Sequence, residues 1–121
     1  MQVKITEITE IKIAFIDSEE LLITDSQSAL DLIVTVNYGY QSNRIVVKKT
    51  NICEDFFKLS TGIAGDILQK FSTYKAKIVI IGDFSKYTSK PLQDFIRESN
   101  KGTTVFFVND KTEAIDKLSK V

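Results

Sequence analysis

The sequence contains no histidine, no tryptophan, one cysteine and one proline. Without an imidazole, the chain lacks the commonest general base, the commonest zinc ligand and the usual switch near neutral pH. Because Cys53 is the only thiol, neither an intramolecular disulfide nor a cysteine metal cluster can form. We therefore expect a cytoplasmic protein without a bound metal or cofactor, and most hydrolase mechanisms are excluded.

The chain also has no excess charge of either sign. It carries 16 Lys and Arg residues against 16 Asp and Glu residues, so its net charge is zero. A neutral chain has no overall field to attract nucleic acid or an anionic membrane surface. The N-terminus has no apolar signal segment, and the longest apolar runs, such as 78–81, are far below bilayer-spanning length. The expected partners are therefore neither nucleic acids nor membranes.

The pattern of apolar residues predicts one domain over residues 1–121. Alternating side chains at 2–6 and 11–15, separated by Thr9-Glu10, are typical of an antiparallel hairpin. Its first strand would be an exposed edge, which makes homodimerisation plausible. Short runs rich in β-branched and aromatic residues then predict three buried strands, at 44–48, 77–82 and 104–108.

A segment whose apolar residues have helical spacing follows each of the last four predicted strands. Apolar stripes predict helices around 29–36, 63–71, 92–96 and 114–118, and Gly39 is expected to end the first of them. The order β-β-α-β-α-β-α-β-α indicates an α/β fold: a mixed, mostly parallel five-stranded sheet with helices on it. Phe106 and Phe107 point to opposite faces of their strand, so both are covered only if helices lie on both faces.

The segment Ser60-Thr61-Gly62 lies between a strand and its crossover helix, where open α/β sheets usually place their sites. A helix N-terminus offers free amides and a positive dipole end, which favour a phosphate or a carboxylate. Phosphorylation of either hydroxyl would add about −1.5 to −2 charges there. The simpler interpretation is that Ser60 only caps the helix.

Three carboxylates lie at the predicted ends of neighbouring strands. Glu54 and Asp55 precede the hydroxyl turn, and Asp83 follows the strand at 77–82. Such a trio can hold Mg²⁺ or act as an acid–base pair, although the spacing matches no metal motif. The simpler interpretation makes Glu54 a partner of a helix dipole.

The loop after the strand at 77–82 is the second candidate surface. Its sequence, Asp83-Phe84-Ser85-Lys86-Tyr87, gathers hydroxyls, a cation and aromatic rings in one turn that can clasp an anion or a protein partner. Alternatively, Tyr87 packs on a neighbour and Ser89 caps the next helix. Phe56 and Phe57 are either core residues or an exposed patch beside Ser60 that would mark a protein-binding surface.

The chain also resembles two families. It is similar, nearly end to end, to a bacterial family filed as domain of unknown function 4180, in five segments: Glu54-Asp-Phe-Phe, Ser60-Thr-Gly-Ile-Ala-Gly, Ile67-Leu-Gln-Lys-Phe, Gly82-Asp-Phe-Ser-Lys-Tyr and Asp94-Phe-Ile-Arg-Glu-Ser-Asn. More loosely, the element order and Ser60-Thr-Gly-Ile-Ala resemble the STAS domains of anti-sigma-factor antagonists. That resemblance implies a STAS-like domain, a partner kinase and phosphorylation at Thr61.

Two functions follow as expectations. The first is a non-enzymatic regulatory or protein-interaction module, which docks a partner around Ser60 and the 82–87 loop and is switched by phosphorylation. The alternative is an enzyme that binds a small molecule or a nucleotide through Asp55, Asp83 and Lys86 at the sheet edge. A deep pocket lined by these groups would favour the enzyme, whereas a shallow patch would favour the module.

Overall fold

Five strands form one mixed sheet in the computed structural model, which describes residues 1–121. Their order in the sheet is the order of the sequence. The first two strands pair antiparallel and the others are parallel, so the predicted α/β architecture is confirmed. The strands are β1 (Gln2–Ile8), β2 (Ile11–Asp17), β3 (Arg44–Lys48), β4 (Lys77–Ile81) and β5 (Val105–Val108).

Four helices cover the sheet. They are α1 (Ser26–Tyr40), α2 (Ile63–Thr73), α3 (Lys90–Asn100) and α4 (Lys111–Ser119). Three short 3₁₀ turns lie between β3 and α2: Lys49–Asn51, Glu54–Phe57 and Leu59–Thr61. No helix combines the length and the apolar character that crossing a bilayer requires.

The helices divide between the two faces of the sheet. Buried residues of α1, α2 and α3 share the larger core with one face, which includes Phe107. Ala114 and Leu118 of α4 pack on the other face, which includes Phe106. Adjacent strand residues face opposite sides, so Phe106 and Phe107 are each covered by helices on their own face of the sheet, as the sequence predicts.

Local sequence sets the ends of these elements. The hairpin turns at Thr9 and Glu10, both with positive φ. Asp25 caps α1 by accepting from the Ser28 amide at 2.8 Å. The prediction that Gly39 ends α1 is wrong: the helix continues to Tyr40, and Gln41 adopts the left-handed conformation instead.

Candidate functional site

Two chain segments leave the carboxyl edge of the sheet side by side. Lys48 at the end of β3 is in register with Ile81 at the end of β4. The connection after β3 runs through residues 49–62, and the connection after β4 runs through residues 82–89. Parallel pairing therefore brings together the two segments that the sequence marks as candidate surfaces.

The first connection is anchored by Asn51, which is fully buried. Its side-chain oxygen accepts from the Lys48 amide at 2.9 Å. Its amide nitrogen donates to the carbonyls of Ser18 at 2.9 Å and Glu20 at 2.8 Å. Asn51 therefore fixes where the chain turns after β3, because every hydrogen-bonding group of its side chain meets a backbone partner.

Tyr87 and Glu54 join the two connections. The Tyr87 hydroxyl donates to Glu54 Oε2 at 2.6 Å. Below this bond, the rings of Tyr87 and Phe57 stack with their centroids 5.1 Å apart. The loop after β4 is therefore held against the 3₁₀ turn at Glu54–Phe57 by one charge-assisted hydrogen bond and by the contacts of the Phe57 ring with Tyr87 and Phe84.

The environment fixes the ionisation of this pair. The hydrogen bond from Tyr87 is the main cause that lowers the pKa of Glu54, and nearby Lys49 lowers it further. Burial, followed by the bond to Glu54, raises the pKa of Tyr87 well above its ordinary value. Near neutral pH the carboxylate stays charged and the phenol stays protonated, so neither group is tuned for general acid–base work.

Lys49 is a residue of this site that sequence reasoning missed. Its ammonium lies 3.5 Å from Glu54 Oε1 and 5.1 Å from the centre of the Tyr87 ring. Burial is the main cause that lowers its pKa. The available signal was its position directly after a predicted buried strand, at the edge where parallel sheets place their sites.

The hydroxyl turn lies just before α2 and is exposed. The Thr61 hydroxyl lies 2.9 Å from the Asp55 carbonyl and 2.8 Å from the Lys58 carbonyl, to which it donates, and it accepts from the Ile63 amide. Gly62 follows in the left-handed conformation, with φ of 76°, and α2 begins at Ile63. Ser60 and Thr61 therefore precede the helix, and Thr61 closes the turn. The interpretation of Ser60 as the cap of α2 is wrong, because Gly62 occupies the cap position.

The three predicted carboxylates do not form a common cluster. Asp55 pairs with Lys58 at 3.7 Å, and Asp83 accepts from both the amide and the hydroxyl of Ser85. These bonds from Ser85 lower the pKa of Asp83. No group of three or more acidic, histidine or cysteine side chains is arranged to hold a metal ion. The expectation of a carboxylate trio is wrong, because each acid has a different local partner.

Phe56 does not belong to a surface patch. It is 1% exposed and packs against the rings of Phe57 and Phe107. Phe84 is half-buried, with its ring edge to face against Phe107 at 5.4 Å. The interpretation of Phe56 as a binding residue is therefore corrected: it supports the site from below, as does Phe84.

An open depression of about 440 Å³ lies between the ends of β3 and β4. We call it the β3–β4 depression. Its lining consists of Lys48, Lys49, Thr50, Ile81, Gly82, Asp83 and Lys86. Asp83 and Lys86 belong to the predicted loop surface, whereas Asp55 lies outside the depression. An open basin of this kind suits docking better than it suits enclosure of a substrate.

Replacing Gly82 by alanine is expected to destabilise the protein by about 1–3 kcal/mol. A Cβ at this position would meet the Lys49 Cβ at 2.8 Å, so one of the two connections would have to move. Urea unfolding followed by circular dichroism measures the change. Gly65→Ala is the matched control: its Cβ would meet nothing within 4 Å on α2, and we expect equal or higher stability. If the two substitutions change the free energy of unfolding equally, the chain at Gly82 does not lie as close to Lys49 as described.

Comparison with known proteins identifies the family of this chain. Searches of curated proteins and of solved structures found no match. A family model matches residues 8–118, which run from the last residue of β1 into α4 and include both connections of the site. The chain belongs to the family described as "Domain of unknown function (DUF4180)".

Proposed function

We propose that this protein is a non-enzymatic, STAS-like regulatory module that docks a protein partner at the carboxyl edge of its sheet. The docking surface consists of the hydroxyl turn, Ser60, Thr61 and Gly62, together with Asp83, Ser85, Lys86 and Tyr87 of the loop after β4. The observation that carries the proposal is the link between these two segments. Thr61 bonds to the carbonyl of Asp55, and the adjacent Glu54 bonds to Tyr87.

The chemistry of the surface supports binding rather than catalysis. Near neutral pH Glu54 stays ionised and Tyr87 stays protonated, and the neighbouring β3–β4 depression is open. The site contains no histidine, and its backbone is ordered by side-chain hydrogen bonds. A preorganised, exposed turn is the kind of feature that a partner can recognise without rearranging it.

Phosphorylation of Thr61 would act as a switch. A hydroxyl has one hydrogen to donate, and that of Thr61 is directed at backbone carbonyls. A phosphate carries only acceptor oxygens at this point and is repelled by carbonyl oxygens, so the turn has to open. Phosphorylation of exposed Ser60 would add charge and leave these bonds in place. Modification at Thr61 would therefore change the shape of the docking surface.

Incubation of the purified protein with extract from its own cells and ATP tests the proposal. We expect mass spectrometry to find phosphate on Thr61 or Ser60, and Thr61→Glu to change which proteins co-purify. Ser72→Asp, an exposed position near the end of α2, is the matched control and should change nothing. If neither hydroxyl is modified and Thr61→Glu alters no interaction, the phosphorylation switch is wrong.

The alternative, an enzyme for a small molecule or a nucleotide, is supported by one observation: Asp83 and Lys86 both line the β3–β4 depression. Isothermal titration with Mg²⁺ and common nucleotides separates the two functions. Saturable binding that Lys86→Gln abolishes would favour the enzyme, and absence of heat would favour the docking module.

A further inference from the structure

A second cavity lies at the carboxyl edge of the sheet, on the face that carries α4. Its volume is about 270 Å³, and we call it the α4-side cavity. It is lined by Lys4, Phe15, Ile16, Asp17, Val46, Val47, Lys48, Ile81 and Lys111. None of these residues belongs to the docking surface, so this cavity is independent of the docking function, although Lys48 and Ile81 also line the β3–β4 depression.

The short helix α4 leaves space for this cavity. The connections after β3 and β4 turn to the face that carries α2 and α3, whereas the connection after β5 leads to α4 on the other face. The cavity opens at the carboxyl edge of the sheet, where the ends of β2, β3 and β4 lie side by side. Helix α4 has nine residues and begins at this edge, which leaves the ends of β2 and β3 partly uncovered.

The floor of the α4-side cavity is apolar. Phe15, Val46 and Ile81 come from three adjacent strands; the first two belong to the smaller core, and Ile81 packs against it. They present an aromatic ring and branched side chains to the cavity rather than polar groups. An apolar part of a ligand that covers this floor leaves water, and the free energy gained is proportional to the apolar area buried.

The rim of the cavity is cationic. Lys4, Lys48 and Lys111 come from β1, β3 and the first turn of α4, and the only acidic residue among the lining residues is Asp17. Lys4 pairs with Asp17 at 3.4 Å, and Lys48 pairs with Glu19 at 2.6 Å. Lys111 instead places its ammonium 4.9 Å above the centre of the Phe15 ring. The cation over the aromatic floor therefore has no carboxylate to neutralise it.

We propose that the α4-side cavity binds a small amphipathic anion, with its apolar body against the apolar floor and its anionic group at Lys111. Lys48 joins Lys111 there, because the Glu19 carboxylate that pairs with Lys48 is 87% exposed and such a pair is weak. An apolar floor with a few convergent charged groups is the usual composition of a small-molecule site. The cavity lies just below the range of about 300–1,000 Å³ that is common for such sites, so the ligand is a monocyclic compound rather than a dinucleotide. Lys48 also lines the β3–β4 depression, which places the anionic group near the sheet edge.

Titration with phenyl phosphate, monitored by amide chemical shifts, tests this assignment. Inorganic phosphate lacks the apolar body and phenol lacks the anion, so each serves as a matched probe. We expect phenyl phosphate to bind about tenfold tighter than either probe, because only it satisfies both halves of the cavity. The largest shifts should fall at Phe15, Val46 and Ile81.

Two lysine variants test which cations are used. Lys111→Gln and Lys48→Gln should each weaken phenyl phosphate binding by about fivefold or more, since each removes a charge-assisted contact. Lys101→Gln, an exposed lysine at the end of α3, is the control and should leave the affinity unchanged. The proposal is overturned if inorganic phosphate binds as tightly as phenyl phosphate, or if Lys101→Gln weakens binding as much as Lys111→Gln.

Discussion

Asn51→Leu is expected to lower the free energy of unfolding by about 3 kcal/mol or more. Leucine nearly matches asparagine in shape but forms no hydrogen bonds. The substitution would leave the Lys48 amide and the carbonyls of Ser18 and Glu20 without their partners at a fully buried position. Urea unfolding followed by circular dichroism gives the value.

Asn43→Leu is the matched control for this substitution. Asn43 is half-buried, and its amide donates to one backbone carbonyl, that of Lys75, at 3.0 Å. We expect a cost of about 1 kcal/mol. If Asn51→Leu costs no more than Asn43→Leu, Asn51 does not anchor the connection after β3 in the way described.

Phe57→Ala is expected to cost about 3–5 kcal/mol and to loosen the loop after β4. The Phe57 side chain is 4% exposed and contacts the rings of Phe56, Phe84 and Tyr87. Removing it leaves a cavity below the point where the two connections meet. Stability follows from urea unfolding, and the loosening follows from faster amide hydrogen exchange at residues 83–89.

Tyr38→Ala is the aromatic control. Tyr38 is 87% exposed on α1, so we expect a change within about 0.5 kcal/mol and no effect on exchange in the loop. If Phe57→Ala lowers global stability but leaves exchange at residues 83–89 unchanged, the aromatic stack does not hold the two connections together.

The sheet was predictable because its strands have strong local patterns. Within the run at Lys77–Ile81, residues 78–81 are all apolar, as a strand covered on both faces requires, and the first hairpin strand alternates. The end of α1 was mispredicted because Gly39 is tolerated inside a helix, while Gln41 accepts the left-handed conformation that glycine usually supplies.

The site was predictable only in part. Their positions in the sequence indicate Glu54 and Tyr87 as candidate residues, but the hydrogen bond between them joins residues 33 positions apart, and no local pattern encodes it. The three 3₁₀ turns before α2 follow from buried contacts such as those of Asn51, which propensity does not reveal. The prediction of Phe56 as a binding residue is wrong for the same reason: a pair of adjacent phenylalanines does not show which ring is buried.

The most direct test of the proposed switch is to measure amide hydrogen exchange in two proteins, one phosphorylated only at Thr61 and the other only at Ser60. In the unmodified protein, the Thr61 and Gly62 amides donate to the carbonyls of Lys58 and Leu59. With phosphothreonine at position 61 we expect both amides to exchange much faster, and with phosphoserine at position 60 we expect little change. Equal protection in the two modified proteins would show that the Thr61 hydroxyl does not hold this turn closed.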